Sequence, residues 1–385
     1  MASRSLARSI AHAAKPPEPL AIARPELPKA EALLAYLRRI DDARWYSNFG
    51  PLLTEFEARL TARFEPRTEI VTCVNGTQGL TLCLQALQLP PGSLCAIPAY
   101  TFVATAHAVI AAGLTPYFLD VDPDTWTLQP QAVRQALANA PAPVSAVILV
   151  APFGLMPNLT PWLALREETG VQVVVDAAAA FDALHAASLP TVVSLHATKV
   201  LGIGEGGFLA TDDQDLARRV RQLTTFGFRG SRESQMPATN AKLSEYAAAI
   251  GLAALDAWPH NRLRWLRAAQ SLRAAMVHLP QAVFQDGWGL TWATSVCCVQ
   301  LPDGTAEAVA RKLNAQGVDT RRWWGLGCQT NPAFVDCPRG DLTQTDRLGG
   351  AVIGLPFSID LDHEQIGRVA AALANSIDQS AEPCR

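Results

Sequence analysis

Three short stretches of the chain carry residue types that could perform chemistry together. In the first, an apolar run at 70–74 passes directly into Asn75-Gly76-Thr77 and then into a helix-like segment. A helix N-terminus presents unpaired N–H groups and a partial positive charge. Gly76 lets an anion approach the backbone and Thr77 adds a hydroxyl, so this turn suits a phosphate. In the second, Asp176 ends the apolar run 171–175 and is followed by four alanines. A carboxylate there sits at the carboxyl end of a parallel strand, where α/β folds bind ligands, and its small neighbours leave room for a flat ring. In the third, Ser194-Leu195-His196-Ala197-Thr198-Lys199 precedes Gly202-Ile203-Gly204-Glu205-Gly206-Gly207. A buried lysine has a lowered pKa and becomes an amine nucleophile, and the glycines let backbone pass close to a ligand.

Each stretch also has an ordinary reading: a capped strand–turn–helix, a helix-capping aspartate, a surface lysine. The glycine run matches G-x-G-x-x-G but leads into strand-like Phe208-Leu209-Ala210-Thr211 rather than a helix, which excludes a dinucleotide fingerprint. Taken together, the stretches meet the needs of pyridoxal 5′-phosphate (PLP). That cofactor requires a lysine for its Schiff base, an acid for its pyridine nitrogen, a phosphate anchor and usually a stacking ring. Phe102 or Tyr100, in Pro98-Ala99-Tyr100-Thr101-Phe102, can supply the ring.

The elements that must position these residues are legible as alternation. Strand candidates at 70–74, 94–97, 115–120, 144–150, 171–176 and 207–211 are interleaved with helix-like stretches at 77–87, 104–112 and 130–139. This pattern implies a mostly parallel sheet covered on both faces. Helices are predicted at 216–226, 243–256 and 261–278, with Pro259 separating the last two. A strand at 292–301 and helices at 306–316 and 364–375 complete a smaller part. The expected division is a tail at 1–20, a large cofactor-binding domain at 21–259 and a small C-terminal domain at 260–385.

Composition narrows the class. The chain has 385 residues, 49% of them hydrophobic, and a net charge of −3 without basic clusters, so nothing in it suits a nucleic-acid partner. No stretch offers the ~20 uninterrupted apolar residues that span a bilayer. The eight cysteines form no metal-binding spacing and read as thiols in a reducing compartment, with a cytoplasmic location expected. The Arg-, Ser- and Ala-rich beginning, acid-poor until Glu18, reads as a flexible tail rather than a cleaved leader.

From about Trp45 to the C-terminal helix, the chain resembles the DegT/DnrJ/EryC1/StrS sugar aminotransferases, a branch of fold-type I PLP enzymes. The resemblance is carried by residues 45–51 (Trp-Tyr-Ser-Asn-Phe-Gly-Pro), Asn75-Gly76-Thr77, 98–105, Asp120-Val121-Asp122-Pro123, Asp176-Ala177-Ala178, 194–199 with Glu205-Gly206-Gly207, Phe226-Gly227-Phe228 and 240–245. It implies a large domain with a mostly parallel, seven-stranded mixed sheet flanked by helices, and a smaller α+β domain. Lys199 would be the Schiff-base lysine and proton shuttle, Asp176 the partner of the pyridinium, and Phe102 the stacking ring ahead of Tyr100. Gly76, Thr77 and Ser194 would hold the phosphate. Asn240 would reach that phosphate from a neighbouring subunit, because the family forms homodimers with shared active sites. Asn48, His196, Lys242 and Arg321 are the candidate substrate contacts, with His196 open to a packing role instead, and Arg321-Arg322-Trp323-Trp324 offers charge for a diphosphate and rings for stacking. The implied reaction moves an amino group, with glutamate as the expected donor, to a nucleotide-linked ketosugar. The runner-up is a PLP-dependent deoxysugar dehydratase, though such relatives carry histidine where this chain has Lys199. A non-catalytic regulatory relative is the third reading. Two positions depart from the family pattern. Ala179 stands where Gln or His usually faces the cofactor's phenolic oxygen, and Asp182 stands where glycine is usual.

Overall fold

The computed structural model describes residues 18–378. The expected tail lies almost wholly outside the described residues, as does Cys384. Within them, seven strands form one sheet: β1 (Glu69–Cys73), β2 (Leu94–Pro98), β3 (Thr115–Leu119), β4 (Val144–Val150), β5 (Gln172–Asp176), β6 (Thr191–Ser194) and β7 (Gly207–Thr211). Their order is β1-β7-β6-β5-β4-β2-β3, and β7 alone runs against its neighbours. The seventh strand is β6, four residues long, which the sequence pattern had hidden beside the lysine motif.

Apolar residues in consecutive positions are what a sheet covered on both faces demands. Val147, Leu149, Val173 and Val175 enter one core, while Ile148, Val150 and Val174 enter a second on the opposite face. The helices that supply this cover are α1 (Ala30–Ala43), α2 (Pro51–Thr61), α3 (Gly76–Ala86), α4 (Val103–Ala111), α5 (Pro130–Asn139), α6 (Thr160–Thr169), α7 (Gln214–Leu223) and the long α8 (Glu245–Ala275). The C-terminal part holds an antiparallel sheet in the order β10-β9-β8, from β8 (Val283–Phe284), β9 (Cys297–Gln300) and β10 (Val352–Leu355). Its helices are α9 (Ala306–Ala315), α10 (Thr343–Ala351) and α11 (His363–Asp378).

Two expectations are corrected. Pro259 does not separate two helices but lies inside α8. A mid-helix proline forfeits one backbone hydrogen bond. Here Trp258 and Trp265, on either side of it, are both buried, and α8 packs along α1, α2 and α11. That packing outweighs the lost bond. The predicted strand at 292–301 shrinks to β9, because residues 293–295 bond elsewhere. The Ala293 N–H donates to Asp182 Oδ2 (2.8 Å), Thr294 Oγ1 to the Phe153 carbonyl (2.7 Å), and Ser295 Oγ to the Thr198 carbonyl (2.6 Å).

Carboxylates join distant segments, and three of them illustrate how. Asp120 accepts from the Gln344 and Thr345 N–H groups at the start of α10 (both 2.7 Å). Buried Glu245, in the first turn of α8, accepts from the Leu52 and Leu53 N–H groups in the first turn of α2 (2.8 and 2.9 Å). A Cβ on Gly50 would lie 2.6 Å from that carboxyl carbon, so the glycine keeps the space Glu245 fills. This clasp fixes the loop before α2, where Asn48 and Phe49 hold positive φ angles of 63° and 56°. Third, buried Asp182 accepts from Arg262 Nε on α8 (2.7 Å) as well as from Ala293. The carboxylate that departs from the family pattern is therefore a structural tie.

Asp182→Ala strands the Ala293 N–H and releases the partly exposed Arg262. An unpaired buried donor costs about 1–3 kcal/mol, and an ion pair this open to solvent adds little. The expected loss of stability is about 2–3 kcal/mol, read as a lowered urea midpoint.

Candidate active site

The carboxyl ends of β1, β2, β4, β5 and β6 lie at one edge of the sheet. Because β7 is antiparallel, its first residue, Gly207, lies there too. At this edge is a cavity of about 580 Å³, whose lining includes Gly76, Thr77, Phe102, Asp176, Ser194, His196, Lys199 and Arg321. Eight of the residues singled out from sequence thus meet in one place, and a cavity of this size holds a small organic ligand.

The anion cradle is built from backbone. Asn75 Oδ1 accepts from the Gln78 N–H (2.8 Å) and caps α3, leaving the Gly76 and Thr77 N–H groups free at the helix start. A Cβ on Gly76 would lie 3.1 Å from Ser194 Cβ. A Cβ on Gly207 would lie 2.8 Å from both the Asn75 carbonyl carbon and the Gly76 nitrogen. Glycine at 207 therefore allows β7 to pass directly beneath the helix terminus. Ser194 Oγ accepts from the His196 N–H (3.2 Å), which orients it beside the cradle.

Of the two candidate rings, Tyr100 is buried in the core, edge-on to Trp324 (5.0 Å) and Trp126 (6.3 Å). Phe102 is 55% exposed and lines the cavity, so it alone is free to cover a flat ligand. Asp176 is buried, with Oδ2 accepting from Thr105 Oγ1 (2.8 Å) and Oδ1 from the Ala178 N–H (3.2 Å). Burial raises its pKa, and those two hydrogen bonds and Lys199 oppose the rise. Lys199 shows the mirror image: desolvation lowers its pKa and Asp176 counters it. Its amine has no hydrogen-bond or ion-pair partner among the described residues, so it is available for chemistry.

His196 Nδ1 accepts from the Thr198 N–H (3.3 Å) and meets Thr198 Oγ1 (2.9 Å), while Nε2 lies 3.8 Å from Glu205 Oε1. Arg321 reaches the cavity with its guanidinium over Trp323 (5.1 Å), whereas Arg322 turns away to Glu307 (2.7 Å). Phe153 and Trp324 stack at 4.0 Å and form an apolar wall with Ala178 and Ala179. Ala179 thus faces the cavity with a methyl group and offers no side-chain hydrogen bond there. Asn48, Asn240 and Lys242 do not line this cavity. Asn48 and Asn240 are exposed, and Lys242 donates to Asn240 Oδ1 with its amine over the Phe226 ring (4.7 Å).

Sequence reasoning missed Thr105 as the partner of Asp176, although the Thr101/Thr105 spacing at a helix start was a usable signal. It also missed Ser295, which ties the lysine loop to the C-terminal part; no local pattern marked it.

An aldehyde-bearing pyridine phosphate fits this set: a helix-terminus cradle, a free amine, a buried carboxylate and an uncovered ring. Fold and site together define a fold-type I PLP-dependent aminotransferase. The profile of the DegT/DnrJ/EryC1/StrS aminotransferase family matches residues 29–374, and the chain belongs to that family. The UDP-2-acetamido-2-deoxy-3-oxo-D-glucuronate aminotransferase of Pseudomonas aeruginosa is 30% identical over 85% of this chain and 91% of its own. The dTDP-3-amino-3,4,6-trideoxy-alpha-D-glucose transaminase of Streptomyces venezuelae is 29% identical over 91% and 94%. Among solved structures, DesI in the presence of its TDP-sugar product superposes with a TM-score of 0.85 at 34% identity, covering 94% of each chain.

Gly207→Ala drives a methyl group into the backbone at the start of α3. It is expected to weaken PLP binding at least tenfold, the equivalent of about 1.4 kcal/mol, in a fluorescence titration of the apo-protein.

Proposed function

We propose that this enzyme transfers an amino group from an amino acid, glutamate in the first instance, to a ketosugar linked to a nucleoside diphosphate. The observation that carries the reading is the meeting of Lys199 and Asp176 in one cavity whose outer wall holds Arg321, Trp323 and His196. Relatives that name UDP-, dTDP- and GDP-linked sugars support the substrate class.

PLP, when bound, supplies the electron sink for charge developing at the reacting carbon. The chain's own residues do the rest. The α3 terminus and Ser194 would hold the phosphate, Phe102 would cover the ring face, and Asp176 would keep a proton on the ring nitrogen. With PLP bound, Lys199 would be the residue that holds it, and the Lys199 Nζ would be placed to accept a proton from the substrate carbon that bears the transferred amine. Burial, by lowering the Lys199 pKa, keeps a larger share of that amine neutral and able to accept the proton. Arg321, poised on Trp323, supplies the positive charge for a carboxylate or diphosphate.

A second subunit belongs to this reading. Tyr46 stacks on Tyr246 at 6.2 Å and both are exposed, as are Trp45, Phe226 and Phe228. Asn240 and Lys242 lie beside Phe226, outside the lining of their own chain's cavity, which is consistent with a role at a partner's site.

Glutamate and a panel of nucleotide-linked ketosugars should give ping-pong kinetics and a product carrying a new amino group by mass. A product lighter by water would instead indicate dehydration. Lys199→Ala should abolish borohydride fixation of the cofactor and lower turnover by about 10²–10⁴-fold, measured in single-turnover assays.

A further inference from the structure

We propose that Thr105 is a positioning residue for Asp176, with Thr101 behind it, and that this hydroxyl relay keeps the carboxylate aimed at the cofactor's ring nitrogen. The proposal rests on the reading that Asp176 meets that nitrogen.

The geometry is directional. Thr105 Oγ1 lies 2.8 Å from Asp176 Oδ2, and an ionised carboxylate only accepts, so Thr105 donates. That uses the single Thr105 hydroxyl proton. The 2.9 Å contact between Thr101 Oγ1 and Thr105 Oγ1 must then be donated by Thr101. The relay thus runs Thr101 to Thr105 to Asp176, and it holds that polarity while Asp176 is an anion. Both threonines are fully buried, so no solvent stands ready to replace either hydroxyl.

Local structure explains the placement. Phe102 is the N-cap of α4, which puts Thr101 just outside the helix and Thr105 in its first turn. One short segment therefore sets both the covering ring and the support for the acid. Thr105 directs its hydroxyl across to β5 rather than to its own helix, where threonine often bonds a preceding carbonyl. The positive end of α4 favours the anion further. Oδ1 is held separately by the Ala178 N–H at 3.2 Å, and Lys199 is the charged group that acts on the carboxylate. Two of the roughly four acceptor sites of the carboxylate are thereby occupied, leaving capacity for a ring N–H from the cavity. With the 179 position reduced to a methyl group, the nitrogen end carries more of the cofactor's orientation.

The test compares Thr105→Val, which keeps shape and removes the donor, with Thr105→Ser, which keeps the donor, and with Thr101→Val. Apo-proteins of native circular dichroism are titrated with PLP. Thr105→Val is expected to bind on the order of tenfold more weakly. The pH at which its visible band interconverts should move upward, because a less firmly protonated ring nitrogen withdraws less charge. Thr105→Ser should restore both values, and Thr101→Val should give a smaller change of the same sign. Wild-type affinity and wild-type pH response in Thr105→Val would overturn the assignment, as would failure of serine to rescue. If Thr105→Val does not fold, the Thr101→Val titration decides, and no change there overturns the relay. Wild-type apo-protein that takes up no PLP would refute the cofactor reading itself, a result distinct from normal uptake with an indifferent threonine.

Discussion

The site depends on an acid and an amine, Asp176 and Lys199, kept partly out of water at the same sheet edge. Burial works against ionisation of both Asp176 and Lys199, and each softens the penalty of the other. Separating two such groups by a cavity rather than letting them close into an ion pair requires rigid supports on both sides. β5 and the Thr105 hydroxyl hold the acid. The Ser295 bond to Thr198 and the close-packed Gly202 hold the lysine loop, since a Cβ at 202 would lie 2.6 Å from the Ala197 carbonyl oxygen. The sheet order then brings the anion cradle to the same edge, because β7 is reversed and its glycine tucks under α3.

The two departures from the family pattern differ in kind. Asp182 adds a carboxylate whose two oxygens are both satisfied, and it binds the end of the β5 loop to α8 and to the segment before β9. Its effect falls on cohesion. Ala179 removes a polar side chain from the cavity wall, where its neighbours are Phe153 and Trp324. The methyl adds to the apolar part of the cavity lining.

Much of this was legible in the chain itself. Consecutive apolar runs with turn residues between them mark strands buried on both faces, so β1 to β5 and β7 could be located within a residue or two. Glycine and acid at strand ends marked the cradle and Asp176. What stayed hidden depends on long-range contacts. Four-residue β6 is too short to stand out from the lysine motif that follows it. Pro259 signals a break only when nothing packs on the helix, and here tryptophans on both sides are buried. Residues 293–295 lie in the predicted strand but bond to Asp182, Phe153 and Thr198, none of which is near in sequence. The family resemblance put Phe102 ahead of Tyr100, but the physical reason, enclosure of the tyrosine by Trp126 and Trp324 from distant segments, is visible only in the fold.

The uninterrupted course of α8 has a consequence for how this protein could be divided. One end of the helix clasps the start of α2 through Glu245, while Trp265 farther along packs against Phe357 of the C-terminal part. Cutting the gene near codon 260 would sever a helix in mid-course and expose an indole on each fragment. The two halves therefore share one structural spine, and neither is a module that recombination could exchange intact.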